Sequence, residues 1–249
     1  MSRPPNSPPL DIFTANAEDA ERLLHLAKVL LNTRERRMRA ELRRSFGDVM
    51  GVARRRQDEL DCVESDHIFL VLKPEGDAER SHFTETQLRP LLRQSVVAVA
   101  AAVESYVSEK ACCYISEALD GEETPRRLLD IPVTFEKLRW IEDTYERHRW
   151  GQRRILKDHL ENAASVDPGK IGTVFATVGK RSIWKPVDRK RGLDSGTSER
   201  QLGELALRRN LIAHTGDRKG TGKAPLSVGE VEEWLSHARS IVQALEATL

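Results

Sequence analysis

From Val96 to Val103 the chain reads VVAVAAAV, with no polar residue in the run. The run lies in a stretch of helical character that Thr86 can cap, with Pro90 in its first turn, and that extends to about Leu119. A helix that is apolar on every side has no face to offer water, so it must lie at the centre of a bundle with neighbours all round. The run falls far short of the roughly 20 apolar residues that a membrane-spanning helix needs. The rest of the fold is expected to assemble around this one element.

The flanking segments supply amphipathic helices. Residues 1–16 read as a loose, Pro-containing arm. A first helix starts near Ala17, with Ala20, Leu23, Leu24, Ala27, Leu30 and Leu31 at helical spacing. Its pattern continues through Met38, Leu42, Phe46 and Val49. Residues 66–72 are ambiguous between a short strand and a buried helical turn, and 73–77 are a turn. Beyond Pro132, a long helix carries Leu138, Ile141, Tyr145, His148, Ile155, His159 and Leu160 along one side. Residues 165–197 hold five glycines, two prolines and Trp184, and read as an irregular insertion with one short helix. A helix over about 198–215 and a Gly-rich loop over 216–224 follow. In the last helix, Ser227 and Glu230 form a capping box ahead of the stripe Val231, Trp234, Leu235, Ala238, Ile241, Val242 and Leu245. The expectation is an all-α fold. It is a helical bundle of four to five main helices in a single domain over 17–247, with an N-terminal part (17–72) and a core (85–247).

With 39% hydrophobic and 32% charged residues, the 249-residue chain is charge-rich but able to bury a core. The formal net charge is +1, so any affinity for nucleic acid must come from local clusters. Cys62, Cys112 and Cys113 form no zinc spacing, and an odd number of cysteines fits a reducing cytoplasm. The N-terminus has no apolar signal region.

The chemistry concentrates in Arg208-Arg209-Asn210-Leu211-Ile212-Ala213-His214, followed by Thr215-Gly216-Asp217. At about 100° per residue, Leu202, Leu205, Ala206, Ile212 and Ala213 define a buried stripe with Arg209 in its middle. A buried arginine needs a partner, because an unmatched charge there costs several kcal/mol. That partner is either an acid such as Glu104 or a bound phosphate, which a planar guanidinium suits. His214 lies about 140° around the helix from Arg209 and shares its face with Asn210. Within one chain the two do not converge, whereas two copies across a two-fold axis can bring them into one cleft.

The segment resembles the R-N-x-x-x-H signature of the HEPN superfamily. The apolar helix with its internal acid Glu104, the motif helix, the Gly-containing loop and the capped final helix also occur in that family's order. The variant RRN-x-I-x-H-x-x-D is similar to bacterial HEPN groups found in toxin–antitoxin and defence systems, RiboL-PSP-HEPN being one of the two that come nearest. The resemblance covers roughly residues 85–247. It implies a homodimeric, metal-independent endoribonuclease without cofactors, cutting RNA by 2′-OH attack at a site shared between subunits. Arg209, Asn210 and His214 are then catalytic. His214 serves as base or acid, Arg209 binds the scissile phosphate, and Asn210 orients the imidazole or the phosphate. Arg208, Arg218 and Lys219 are expected to hold RNA backbone, and Glu104 to support Arg209 or to be a plain buried acid. A cognate antitoxin or regulatory protein is the implied partner, with no role at a membrane. The alternatives are a catalytically silent scaffold of the same family and a regulatory or partner-binding helical protein in which the motif is coincidental.

Other candidates carry less. Arg154 and His159 repeat the Arg–His spacing, but without the asparagine and inside a long helix; chance alone places about one such pair in a chain this rich in arginine. The loop 216–224 lacks the spacing of a phosphate loop. Lys180, Arg181, Lys185, Arg189, Lys190 and Arg191 surround Trp184, a solvated loop whose tryptophan fills the core rather than an RNA platform. His148 and His159 read as core histidines.

Overall fold

The computed structural model describes residues 8–31, 34–36, 40–64, 68–72, 85–145 and 148–249. Its axis is α3 (Glu85–Cys113), the helix that carries the apolar run. Val96, Val99, Ala100, Ala102 and Val103 are each at most 1% exposed. Ala101, however, faces solvent, and the half-open Ala98 and Ser105 continue its strip. The helix is therefore packed on most sides rather than all, and alanine and serine make the open strip inexpensive. The helix starts at Glu85, ahead of Thr86, and Pro90 lies in its second turn. It stops at Cys113, where Tyr114 (φ −94°, ψ 0°) separates it from α4 (Ile115–Asp120).

Five long helices pack on α3: α1 (Pro9–Leu31), α7 (His148–Ala163), α8 (Pro168–Thr177), α10 (Thr197–Thr215) and α11 (Val228–Thr248). Helix α1 begins inside the segment expected to be an arm. Phe13 is buried with its ring 6.4 Å from that of Tyr106, and Phe13, Ala17, Ala20, Leu24 and Ala27 form the stripe facing the core. The capping box of α11 is present, with Ser227 and Glu230 satisfying each other's backbone N–H groups. Glu246 accepts hydrogen bonds from Tyr106 Oη (3.0 Å) and Lys110 Nζ (2.9 Å), tying α11 to α3.

Three expectations change. The first helix does not run on to Val49. Beyond α1, β1 (Arg34–Arg36), β2 (Leu60–Glu64) and β3 (Ile68–Leu72) form an antiparallel sheet in the order β1-β2-β3, with α2 (Ala40–Val49) and a 3₁₀ turn (Arg54–Glu59) between β1 and β2. The register pairs Arg34 with Glu64 and Leu60 with Leu72, which settles the ambiguous 66–72 segment as a strand over its described part. The turn expected over 73–77 lies outside the described residues.

The long helix after Pro132 is two, α6 (Phe135–Thr144) and α7 (His148–Ala163), which pack together where Gly151 leaves room for the Ile141 side chain. His148 is exposed and His159 half-buried, so neither is a core histidine.

The insertion over 165–197 is core structure. Asp167 caps α8, whose Ile171, Val174 and Phe175 are buried, and α9 (Trp184–Arg191) buries Val187 and Asp188. Trp184 packs against the core. Asp188 accepts from the backbone N–H groups of Gly196 (2.7 Å) and Ser198 (2.9 Å), fixing the start of α10. Burial pushes its carboxyl up, but those bonds and the Arg191 guanidinium outweigh it and hold the group below the ordinary aspartate value. Among the described residues, no helix is long and apolar enough to cross a membrane.

Candidate functional site

The motif occupies the last two turns of α10. Ser198, Leu202, Leu205 and Ala206 bury one side of this helix. Its outer side carries Leu207 (63% exposed), Asn210, Leu211 (38%) and His214, all within about a 100° arc. Ala213, expected in the buried stripe, is exposed, and Ile212 is half-buried.

Arg209 turns the other way, toward α3. Its guanidinium lies 3.3 Å from the carboxylate of Glu104, and its Nη1 donates to Asn210 Oδ1 at 3.1 Å. Glu104 also accepts from the Val166 backbone N–H at 3.3 Å, so one carboxylate links α3, α10 and the turn into α8. The Arg209 side chain remains 31% exposed. Asn210 is thus the neighbour that orients Arg209. Among the described residues, no hydrogen bond to the His214 ring is seen.

Arg208 is not a surface residue. Its side chain is 15% exposed and its Nη2 donates to Asp217 Oδ2 (2.8 Å) and to the Pro225 carbonyl (2.7 Å). Arg93 of α3 donates to the same Asp217 oxygen at 2.8 Å and to the Ala224 carbonyl at 2.9 Å. Asp217, 1% exposed, therefore joins two guanidinium groups and pins the end of the motif helix to α3. Gly216 (φ +60°) and Asp217 (φ +63°) make the left-handed turn that carries the carboxylate back under α10. The sequence reading assigned Asp217 no role. Its signal is an acid just past a helix-ending glycine, with Arg208 nine residues upstream on the same helix.

The loop that follows is a tight hairpin, β4 (Arg218–Lys219) paired with β5 (Gly222–Lys223). Arg218, Lys219 and Lys223 are exposed on it, directly after the motif helix. At the second Arg–His pair, Arg154 is paired one turn along α7 with Asp158 at 3.0 Å. Burial, with Glu109 and Glu161 nearby, pushes the Cys112 thiol up to about 12, which makes it a poor nucleophile. Among the described residues, no group of three or more His, Cys, Asp or Glu side chains is placed to hold a metal ion.

The model of one protein family, RiboL-PSP-HEPN, matches residues 66–249, which include α3, the motif helix and the capped final helix. The chain belongs to the RiboL-PSP-HEPN family. No curated protein and no solved structure matches it. In this HEPN protein the match begins in the sheet and takes in α8 and α9, so the supposed insertion falls inside the family's own extent. It leaves out α1 and α2.

Proposed function

We propose that this HEPN protein is a metal-independent endoribonuclease that works as a homodimer. The observation that carries the reading is the outer face of α10. Leu207 and Leu211 lie exposed beside Asn210 and His214, an apolar strip that a second copy of the same helix can cover. Such a pairing brings His214 of one subunit toward the partly exposed Arg209 in the other. HEPN domains are often ribonucleases, and the exposed cations Arg218, Lys219 and Lys223 border the same helix end, where they offer an electrostatic path for RNA.

In this mechanism Arg209 binds the scissile phosphate. Glu104 and Asn210 hold the guanidinium in place, so that it stabilises charge as it develops. The His214 imidazole takes the proton of the ribose 2′-OH. The oxygen attacks phosphorus, the bond to the 5′ oxygen breaks as the imidazolium returns the proton to it, and the products are a 2′,3′-cyclic phosphate and a free 5′-hydroxyl. Arg208 takes no direct part, because its side chain is 15% exposed and its Nη2 is held by Asp217 and the Pro225 carbonyl. We further assign the protein a cytoplasmic toxin or antiviral defence role, restrained by a cognate antitoxin or regulatory protein.

Labelled RNA incubated with the protein in EDTA tests the activity. Cleavage that disappears in both Arg209→Ala and His214→Ala supports it, and undiminished cleavage in His214→Ala refutes the assignment of the base. One observation favours the second reading, a catalytically silent scaffold: Arg209 already has two protein partners, Glu104 and Asn210. That reading predicts no cleavage by the unaltered protein.

A further inference from the structure

Away from the motif, helix α5 (Arg126–Leu129), the middle of α7, the second half of α8 and the loop after it enclose an open hollow of about 720 Å³. Arg126, Arg127 and Arg181 line it, with His159 on one wall and Asp130 as the one carboxylate. Elsewhere on the described surface, Arg22, Arg139, Arg149, Arg153, Arg154 and Arg239 each face an acid. Among the described residues, no ion pair involves Arg126, Arg127, Arg181 or Asp130. Arg126 and Arg127 of α5 and Arg181 of the loop after α8 therefore line one hollow, and among the described residues none of the three is paired with an acid. Like charges gathered this way repel one another unless an anion lies between them.

The hollow is held in shape by contacts behind it. Lys180, next to Arg181, donates to Glu117 at 2.8 Å and sits 4.4 Å from the centre of the Tyr114 ring. Gly179 (φ +86°) comes so close to Pro125 that an added Cβ would lie 3.3 Å from the proline Cγ, so the loop and α5 are pressed together. Ser182 holds a left-handed backbone (φ +54°) at the rim, a conformation that a serine keeps only when its surroundings impose it.

We propose that this hollow is a second ligand site, which binds the phosphate and ribose of a ribonucleotide. The arginines supply charge-assisted donors for phosphate oxygens. Ile131, Pro132 and Ala176 give the apolar wall on which a base can rest. Asp130 decides against a bare anion: a carboxylate repels phosphate but accepts hydrogen bonds from ribose hydroxyls or a base amino group. The volume is of the size that small-ligand sites have, about 300–1,000 Å³. The site is distinct from the motif. Val166, which contacts Glu104, precedes α8, whereas the hollow uses Thr173, Ala176 and Thr177, roughly 10 Å along the helix at its usual rise. The proposal does not depend on the nuclease reading, and a protein that cleaves nothing can still have this site.

The source of the nucleotide is either free in solution or a unit of an RNA strand, and the experiment separates them. Calorimetric titration of the full chain uses ATP, a short single-stranded RNA and inorganic pyrophosphate as probes. Binding of ATP assigns the hollow to free nucleotide. Binding of RNA but not ATP assigns it to a strand. In either case Arg126→Ala and Arg181→Ala are each expected to weaken binding by about tenfold or more. Arg154→Ala, whose side chain is already paired, should leave it unchanged. Asp130→Ala is expected to weaken the nucleotide while tightening pyrophosphate. All four side chains are exposed, and circular dichroism checks that each variant is folded. Three results overturn the proposal: neither ATP nor RNA binds; either binds with no loss in the two arginine variants; or Asp130→Ala tightens every probe alike.

Discussion

Replacing Asp217 by alanine tests how the motif helix is held. The carboxylate is 1% exposed, and its two partners, Arg93 and Arg208, are 8% and 15% exposed. Removing it leaves two guanidinium groups in a poorly hydrated site without their counter-charge. Breaking a buried pair in this way costs about 3–5 kcal/mol. In a chain of this size each kcal/mol moves the melting midpoint by roughly 2–4 °C, so Asp217→Ala should lower it by roughly 6–20 °C. Arg208→Ala should cost much less, because Asp217 keeps its 2.8 Å bond to Arg93. Replacing all three by apolar residues of similar volume should recover part of the loss, since the cost lies in the unpaired charge rather than in the missing attraction. Urea unfolding followed by circular dichroism, with the slope monitored for constancy, gives the free energies. A loss below about 1 kcal/mol for Asp217→Ala would refute the reasoning, since that is the size expected of an exposed pair.

Three further outcomes follow from single contacts. Ser227→Ala removes the capping box of α11 and should cost about 1 kcal/mol in urea unfolding, with Glu230→Ala costing part of the same amount. Gly151→Ala would place a methyl 2.6 Å from the Ile141 side chain, and the overpacking between α6 and α7 should cost about 1–3 kcal/mol by the same assay. His237 has its pKa lowered, first by burial, with Glu233 opposing, from an ordinary value of 6.5. Because the unfolded chain binds this proton more readily than the folded one, the contribution is complete above pH 6.5 and is lost as pH falls below it. The melting midpoint should therefore fall less steeply between neutral and mildly acidic pH in His237→Gln than in the unaltered protein.

What could be read from the sequence was what local chemistry determines. The α11 capping box and its stripe are complete within one segment, and the apolar run of α3 leaves little choice but a central helix. The sheet was less visible because Arg34-Glu35-Arg36 has no apolar alternation, and its pairing to Cys62–Glu64 crosses a helix and a 3₁₀ turn. The segment over 165–197 looked irregular because its glycines and prolines fall at element ends. Asp167-Pro168 starts α8 and Gly192 ends α9. Ile171, Val174 and Phe175 nevertheless carried the helical spacing.

At the motif, periodicity puts Arg209 and His214 on different sides of α10, and the structure has Arg209 beside Glu104 of α3 and His214 exposed. Periodicity failed for Arg208. That partner, Asp217, reaches it only because two left-handed residues reverse the chain, and no periodicity encodes a reversal.

The central claim is that Arg209 and His214 act across two subunits, and mixing single variants tests it most directly. Each of Arg209→Ala and His214→Ala should be inactive alone. After unfolding and refolding together, random pairing makes half the dimers mixed. Each mixed dimer then holds one site with both residues intact, so about a quarter of the original RNA cleavage should return. Mixtures as inactive as the separate variants, under conditions where subunit exchange is verified, would contradict the shared site.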